Sequence, residues 1–351
     1  MRDIEFHNRE NEIKEIRVIL DSRPTLITFI YGPINSGKTE LITHTIEELP
    51  DEYVVFYINL RTKFLSSYDD FIESLFEMEM DDEGASKKRR ETLAELVSSV
   101  TKVAGIPINK EFLDYVFKDN KPKNAFSYIL RLFEEVKATG KQPVLILDEL
   151  QKIGDVNVNG SVIYELFNFF IDLTKETHLA HVFVATSDSL FMERVYSEAM
   201  LEGRCRYLLV DDFDRETTAA FLDKYGFTAD ETAVAWDYCG GKPICLVELA
   251  NTKLNGKDVE SESEKLLKIR TSQMLSIFDE ISLGKVEYSE KDIIEEFKNF
   301  EHEEILQYGR INEEKIFLVG RNVFFIDPTQ RTIKPQSRLN LLAIREVIKD
   351  V

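Results

Sequence analysis

The chain has 351 residues, of which 43% are hydrophobic and 31% are charged, proportions that are ordinary for a folded protein and exclude global disorder. Its formal net charge of −20 repels polyanions over most of the surface and so counts against indiscriminate nucleic-acid binding. The three cysteines, odd in number and without paired spacing, indicate neither a disulfide framework nor a zinc site. Because the apolar stretches are too short to cross a bilayer and no signal-peptide core is evident, we expect a cytoplasmic protein of two or three domains.

Five short apolar runs, rich in β-branched residues, predict buried strands. They cover 25–31, 53–59, 143–148, 181–187 and 206–210. Their near-continuous apolarity, with helical patterns between them, is what a parallel sheet covered on both faces requires. We therefore predict an α/β domain over 1–210.

The stretch between the second and third runs is dominated by helical periodicity. The periodicity recurs over 68–80, 88–103 and 124–137, which predicts a helical insertion over about 61–140. Residues 81–90 are charged and carry no apolar face, so we interpret them as an exposed connection.

After residue 210 the strand pattern stops and helical patterns follow. These patterns cover 215–225, 229–239 and 243–252. They predict a small helical domain over 211–264. Its last residues, 255–264, are polar, and we interpret them as a linker or an exposed helix start.

The last part of the chain combines helical patterns with two short apolar runs. The runs at 315–319 and 322–327 predict strands, and 339–350 predicts a closing helix. Helices followed by two short strands are typical of a winged-helix module. We therefore predict a winged-helix-like domain over 265–351.

A glycine-rich loop between the first strand and the next helix predicts a phosphate-binding site. Gly32-Pro33-Ile34-Asn35-Ser36-Gly37-Lys38-Thr39 matches GxxxxGK[ST], whose backbone N–H groups cradle phosphate oxygens at a helix N-terminus. Lys38 would reach the β and γ phosphates, and Thr39 would offer its hydroxyl to Mg²⁺. We predict a P-loop site for ATP or ADP with Mg²⁺. The expected nucleotide contacts are Gly32, Pro33, Asn35, Ser36, Gly37, Lys38, Thr39 and Glu40.

Two carboxylates end the third apolar run. Asp148 would emerge at the carboxyl edge of the sheet and hold Mg²⁺ through water, together with Thr39. Glu149 follows directly and, facing the γ phosphate, would be the general base that polarises the attacking water. The alternative is that both carboxylates merely cap the next helix.

Small polar side chains end the fourth run, and an arginine precedes the fifth. Thr186 or Ser187 could sense the γ phosphate or position the water, whereas Ser187 or Asp188 could instead cap a helix over 189–194. Arg204 would supply positive charge to the transferring phosphoryl group, as arginine fingers do. The alternative for Arg204 is an ordinary surface or ion-paired arginine, and the sequence leaves open whether it acts on its own nucleotide or a neighbour's.

Several short motifs occur in a characteristic order. They are Phe6-His7-Asn8-Arg9-Glu10-Asn11-Glu12, the phosphate loop, Leu147-Asp148-Glu149, Gly203-Arg204 and Gly240-Gly241-Lys242-Pro243. With them the chain resembles, over nearly its whole length, the archaeal ATPase family, relatives of the STAND signalling NTPases within the AAA-like P-loop class. The middle of the loop, Ile34-Asn35-Ser36, departs from the usual arginine-rich or threonine-bearing pattern, so turnover could differ while binding survives.

The resemblance implies roles for residues outside the loop. Phe6 and Arg9 would contact the base or ribose, and Pro243 would pack against the adenine from a helical lid domain. The resemblance also favours an ATPase switch. In such a switch ATP holds the lid against the P-loop domain, hydrolysis releases the lid, and a protein partner responds. Another possibility is that Glu149 is misoriented and the chain only binds nucleotide.

A DNA-binding adaptor of the origin-recognition type is the alternative function. Between 315 and 345 six basic residues stand against one acid, Asp327, a local balance of about +5. Those basic residues are Lys315, Arg321, Arg331, Lys334, Arg338 and Arg345. The acidic helices before them would oppose DNA on that side, so we favour protein partners.

Overall fold

The computed structural model describes residues 4–78, 102–108, 116, 121–155 and 161–350. Up to residue 210 its elements are α1 (Glu10–Leu20), β1 (Ile27–Tyr31), α2 (Lys38–Glu47), β2 (Tyr53–Asn59), α3 (Tyr68–Ser74), β3 (Phe76–Met78), β4 (Lys102–Ala104), β5 (Ile106–Ile108), α4 (Lys121–Ala138), β6 (Gln142–Asp148), α5 (Ser161–Ile171), β7 (His181–Thr186), α6 (Ser189–Ser197) and β8 (Cys205–Leu209). Beyond it follow α7 (Arg215–Lys224), α8 (Ala229–Cys239), α9 (Pro243–Leu254), α10 (Val259–Ser282), α11 (Glu290–Lys298), β9 (Leu306–Gln307), α12 (Glu313–Gly320), β10 (Phe324–Asp327), β11 (Thr332–Pro335) and α13 (Arg338–Asp350).

A six-stranded parallel sheet in the order β4-β2-β6-β7-β1-β8 forms the centre of the fold. The five predicted strands are confirmed, each to within two residues at either end. Successive side chains point to opposite faces, so Phe29 packs in one hydrophobic cluster and Ile30 in another. Because both faces are covered, the strands read as continuous apolar runs. The predicted α/β class is thereby confirmed.

The described part of the predicted insertion is not purely helical. The helix predicted over 68–80 is wrong at its end, because α3 stops at Ser74 and β3 pairs with β5. The helix predicted over 88–103 is wrong at 102–103, where β4 pairs with β2; residues 88–101 lie outside the described residues, as do 81–90. Backbone pairing with distant strands overrode the local periodicity at both places. The helix predicted over 124–137 is confirmed as α4.

Three helices follow the sheet, as predicted for 215–225, 229–239 and 243–252. Their starts carry recognisable caps: Asp214 accepts from the Thr217 N–H, Thr228 and Glu231 form a capping box, and Pro243 occupies the first position of α9. The helices bury a hydrophobic cluster of their own, which includes Leu222 and Leu246. Of the polar stretch predicted over 255–264, the residues from 259 onward belong to α10.

The C-terminal part combines helices with a three-stranded antiparallel sheet in the order β10-β11-β9. The strand predicted over 315–319 is wrong: these residues lie in α12, whose start is capped by Asn312 and which buries Leu318 and Val319 on one side. The strand over 322–327 is confirmed as β10 and the last helix as α13. β9 and β11 were not predicted, because β9 has only two residues and β11 alternates partly exposed with buried positions instead of forming an apolar run. The division into three domains stays a prediction.

The C-terminal sheet lies on the carboxyl edge of the central sheet. Phe325 of β10 packs in the main sheet cluster. Tyr31, at the end of β1, donates a hydrogen bond to Asp327 at 2.9 Å, and Lys334 pairs with Asp211 at 2.6 Å. The last part of the chain therefore contacts the end of β1, where the phosphate loop begins, and the segment that follows β8.

The segment 210–213, which we term the junction, passes extremely close to two glycines. A Cβ on Gly32 would lie 2.1 Å from the carbonyl oxygen of Val210, and one on Gly241 only 1.7 Å from that of Phe213. The Phe213 N–H also donates to the Gly241 carbonyl at 2.9 Å. Only glycine fits at these two positions, because any side chain would overlap the junction backbone.

We expect Gly241→Ala to destabilise the chain by roughly 3 kcal/mol, because the added methyl group forces the junction and the start of α9 apart. Denaturant unfolding measures this change. Gly320→Ala is the matched control, since nothing lies within 4 Å of a Cβ there. Equal stability of the two variants would show that the close approach at Gly241 is not required for folding.

All three cysteines are free. Cys239 is buried, whereas Cys205 and Cys245 are only partly buried, and burial raises the pKa of Cys205 to about 12. Among the described residues, no helix is both long and apolar enough to cross a membrane.

Candidate functional site

The glycine-rich loop connects β1 to α2 and turns sharply at two residues. Asn35 and Gly37 have φ angles of 58° and 93°, in the left-handed region. Alternation of left-handed with ordinary backbone turns successive N–H groups to one side and forms a concave anion-binding nest. The loop opens directly into α2, whose N-terminus adds a favourable dipole for a negative charge.

Lys38 lies folded beneath this loop. Its side-chain nitrogen donates to the carbonyl oxygens of Gly32 at 3.0 Å and Pro33 at 2.8 Å, and the residue is only 6% exposed. Burial, and then the nearby charge of Lys242, lower the pKa of Lys38 to about 8. Gly32 and Pro33, predicted as nucleotide contacts, thus hold the lysine with their carbonyls.

The two residues predicted for Mg²⁺ are in contact. The Thr39 hydroxyl donates to Asp148 Oδ2 at 2.8 Å, and the Tyr57 hydroxyl donates to the same oxygen at 2.9 Å. A hydroxyl beside a carboxylate suits Mg²⁺, which takes hard oxygen ligands and fills its remaining positions with phosphate oxygens and water. The donor set therefore fits Mg²⁺ bound together with a nucleotide. The sequence did not reveal Tyr57, although its position on β2, next to β6 in the sheet, is the signal for it.

Glu149 is buried and held from three sides. Arg61 and the Gln151 side-chain amide donate to its two carboxylate oxygens, and Ser187 Oγ donates to Oε2 at 3.4 Å. Its φ of 63° places the backbone in the left-handed region, which turns the side chain from the strand end into the site. The sequence motifs did not identify Arg61 or Gln151. Arg61 could have been found from its position after β2, because β2 is the neighbour of β6 in the sheet.

At the end of β7, different residues cap the next helix and face the site, the two roles that we predicted as alternatives. The Asp188 side chain accepts from the N–H groups of Leu190 and Phe191, at 2.8 and 3.2 Å, and so caps α6. Ser187 is therefore left to face Glu149. Thr186 donates to Gln151 Oε1 at 2.7 Å and orients the amide that holds Glu149.

Arg204 is not brought to the site within this chain. It precedes β8, and its backbone carbonyl accepts from the N–H of Ile27, at the start of β1. Since β1 and β8 are parallel and the phosphate loop follows the end of β1, five residues at about 3.3 Å each separate Arg204 from the loop. Its guanidinium donates to the Met200 carbonyl at 2.9 Å. A role on the chain's own nucleotide is therefore excluded by this arrangement, and a role on a neighbour's stays a prediction.

The N-terminal motif packs against the phosphate loop. The Phe6 ring stacks on His44 of α2, with ring centroids 4.0 Å apart. The Arg9 guanidinium is buried and donates to the carbonyls of Ser36 and Asp211, each at 2.7 Å. Arg9 thus ties the phosphate loop to the junction; the predicted contact of Phe6 or Arg9 with a base or ribose stays a prediction.

A cavity of about 410 Å³ brings most of the predicted residues together. Its lining is Ile4, Glu5, Phe6, His7, Arg9, Asn35, Ser36, Gly37, Lys38, Thr39, Glu40, Arg61, Glu149, Ser187, Phe213, Phe221, Pro243, Ile244 and Val247. Its polar lining comes mainly from the loop and the strand ends, and its aromatic and aliphatic lining comes mainly from N-terminal residues, the junction, α7 and α9. The volume is within the range of small-molecule sites.

Lys242 lies next to the site. It is part of the Gly240–Pro243 motif, but the motif did not indicate its role. It is 3% exposed, pairs with Asp212 of the junction at 2.8 Å, and donates to the Ile34 carbonyl at 3.1 Å. Burial raises the pKa of the Asp212 carboxyl. The turn before α9 therefore contacts the phosphate loop through the Lys242 amino group, which is also paired with Asp212.

The C-terminal basic residues are largely engaged within the chain. Four of the six form ion pairs, which are Lys315 with Glu296, Arg321 with Glu280, Lys334 with Asp211, and Arg338 with Glu304. Arg331 and Arg345 donate to backbone carbonyls. The local excess of positive charge counted along the sequence is thus offset by acids from other segments.

Comparison with known proteins identifies related ATP-binding proteins. A model of an ATPase domain predominantly from Archaea matches residues 6–249, and a model of the C-terminal domain of MJ1010-like ATP-binding proteins matches 260–348. An ATP-binding protein of Pyrococcus abyssi is 48% identical over 343 residues, or 98% of both chains. Another, of Methanocaldococcus jannaschii, is 46% identical over 358 residues, covering 99% of this chain and 98% of its own.

The fold also resembles solved structures. A Walker-type ATPase of Pyrococcus abyssi superposes with a TM-score of 0.61 at 16% identity, covering 98% of this chain and 97% of its own. At that identity the likeness concerns the fold alone. The Aeropyrum pernix ORC2 protein gives a TM-score of 0.48 at 12% identity over 99% of this chain and 94% of its own, which is too low to support an argument.

Proposed function

The chain belongs to the ATPase domain family found predominantly in Archaea, and from that premise we propose that it binds ATP with Mg²⁺ and hydrolyses it as a conformational switch. One observation carries the proposal: the second half of the phosphate loop, from Asn35 to Thr39, and the buried Glu149 line a single cavity, and the Thr39 hydroxyl is hydrogen-bonded to Asp148. The curated relatives are called ATP-binding, which agrees with the nucleotide part.

The residues divide the chemistry between them. N–H groups of the loop hold the phosphates, and the Lys38 amino group turns from the loop carbonyls to the phosphate oxygens. Thr39 and Asp148 would hold Mg²⁺, which would neutralise phosphate charge. Glu149 accepts a proton from the attacking water as general base, and Ser187 helps to orient that water.

Three donors already surround the Glu149 carboxylate. Arg61 donates to one oxygen and Gln151 and Ser187 to the other, so an attacking water must compete with these donors for the lone pairs that remain. A shift of Arg61, which is more than half exposed, clears one oxygen with little repacking. This competition agrees with slow or partner-activated turnover.

The switch itself involves the lid domain proposed for 211–264. Pro243 of that domain and Phe6 of the N-terminal motif line the same cavity, so a base bound between them would link the two parts of the chain. We include in the proposal a P-loop domain over 1–210, a winged-helix-like domain over 265–351, a STAND-like mode of action and a cytoplasmic location. A protein is the partner we favour, because ion pairs engage four of the six basic residues available for DNA.

Single-turnover measurement of phosphate release from ATP, with Mg²⁺ and with a chelator, tests the proposal. We expect the chain to release phosphate with Mg²⁺ and to stop when the chelator is added. Binding of ATP without any release would reduce the function to nucleotide binding. A chain that binds no ATP would remove the proposal altogether.

We expect ATP binding to take up protons at alkaline pH. Without nucleotide the pKa of Lys38 is lowered to about 8, below its usual 10.5, so Lys38 is largely neutral at pH 9. Bound phosphates favour its charged form, so binding draws a proton to Lys38 between about pH 8 and 10.5, and ATP affinity falls as the pH rises through that window.

Calorimetric titration with ATP in two buffers of different ionisation enthalpy measures this uptake. We expect up to one proton at pH 9 and close to none from Lys38 at pH 7. Uptake that is equal at both pH values would contradict the assignment to Lys38.

A further inference from the structure

The peptide groups around Ile34, in the phosphate loop, are held from two sides by other parts of the chain. The Ile34 N–H donates to Gln336 Oε1 at 3.1 Å, and the Ile34 carbonyl accepts from Lys242 Nζ at 3.1 Å. Gln336 and Lys242 are each 3% exposed. Neither lines the cavity, so both act on the loop from behind.

Each of these side chains is fixed in turn by its own surroundings. Gln336 follows β11; its Nε2 donates to the Phe324 carbonyl at 3.1 Å, and its backbone N–H donates to Val323 at 2.9 Å. Lys242 is anchored by the ion pair with Asp212. A side chain with all its polar groups engaged has little freedom, so a displacement of the C-terminal sheet or of α9 is passed on to Ile34.

We propose that Gln336 and Lys242 are positioning residues that set the phosphate loop in its phosphate-binding conformation and couple nucleotide binding to docking of the C-terminal sheet. This inference rests on the proposed nucleotide site. The adjoining residue, Asn35, carries the left-handed φ of 58° that turns the following N–H groups into the nest. Rotation at Ile34 changes the direction of those groups, and linkage requires that phosphates which favour the nest also favour the docked sheet.

The test compares Gln336→Met with Tyr31→Phe. Gln336→Met removes one hydrogen bond between the sheet domain and the C-terminal part, and Tyr31→Phe removes two, to Asp327 and Thr329, but only the first variant frees the Ile34 N–H. We expect Gln336→Met to raise the Kd for ATP about fivefold to tenfold, the equivalent of one hydrogen bond of about 1 kcal/mol, and Tyr31→Phe to change it less than twofold. Gln336→Asn, whose amide is one methylene too short to reach Ile34, serves as a milder version in case the methionine variant does not fold.

Hydrogen exchange supplies a readout that a purely structural role would not affect. In the parent, ATP is expected to slow exchange of the amides in β10 and β11, which lie outside the cavity, and in Gln336→Met this protection is expected to be lost. A parent that binds ATP, with a Gln336 variant of equal affinity and equal protection, would overturn the inference. A parent that binds no ATP in the same titration would instead overturn the proposed function.

Discussion

Replacement of Lys38 by methionine is expected to weaken ATP binding about 100-fold or more. The amino group is a buried donor, and its charge-assisted bonds to phosphate, at about 3 kcal/mol together, have no substitute in a thioether. Methionine keeps much of the length and volume of the buried side chain, so the loop backbone should survive. Equilibrium titration with ATP, together with the unfolding midpoint of the free protein, measures both effects.

The matched control for that change is Lys253→Met. Lys253 lies on α9 and pairs with Glu231 at 2.5 Å, outside the cavity lining. Its replacement removes a lysine of equal charge and should leave ATP affinity unchanged within about twofold, as for other surface ion pairs. Equal affinities of the Lys38 variant and the parent would mean that phosphates bind somewhere other than the loop.

Replacement of Glu149 by glutamine is expected to slow single-turnover phosphate release by a factor of about 10² to 10⁴, the usual contribution of a general base. Glutamine has nearly the same shape but cannot accept the proton. ATP affinity should stay within about threefold of the parent, because the residues that hold phosphate and Mg²⁺ remain in place. Rapid-quench kinetics and ATP titration on the same preparation separate turnover from binding.

Glu198→Gln controls for the loss of a carboxylate elsewhere. Glu198 accepts from Tyr164 at 3.1 Å on the surface, and its replacement should leave the rate unchanged. Equal rates for the Glu149 variant and a hydrolysing parent would show that Glu149 is not the base. A parent that binds ATP and never releases phosphate would make a nucleotide-stabilised adaptor the better description.

The central sheet and the polar part of the site could be predicted because they depend on local patterns. Doubly buried parallel strands are apolar throughout, and the carboxyl ends of such strands meet at one edge. The Gly32–Thr39 loop and Asp148 end two strands of one sheet, so their proximity followed from the strand assignment. The hydrogen bond between Thr39 and Asp148 shows that the loop and this strand end lie together as expected.

The features that were missed depend on partners far away in the chain. β3 and β4 are three residues long, and their pairing with β5 and β2 decides their conformation more than their own periodicity does. Tyr57, Arg61 and Gln336 are ordinary residue types whose roles come from long-range contacts. Arg204 was assigned to the site from its place in the motif order, although it precedes β8 and the amino ends of parallel strands lie at the edge opposite the phosphate loop.

The contacts of the junction 210–213 affect how the molecule unfolds. Its backbone lies against Gly32 and Gly241 and accepts a bond from Arg9, and its acidic side chains pair with Lys334 and Lys242. The boundary drawn between the first two domains is therefore also the place where the N-terminal motif, the loop, the lid and the C-terminal sheet are joined. Such shared contacts favour cooperative unfolding of all parts as one unit over stepwise loss of independent modules.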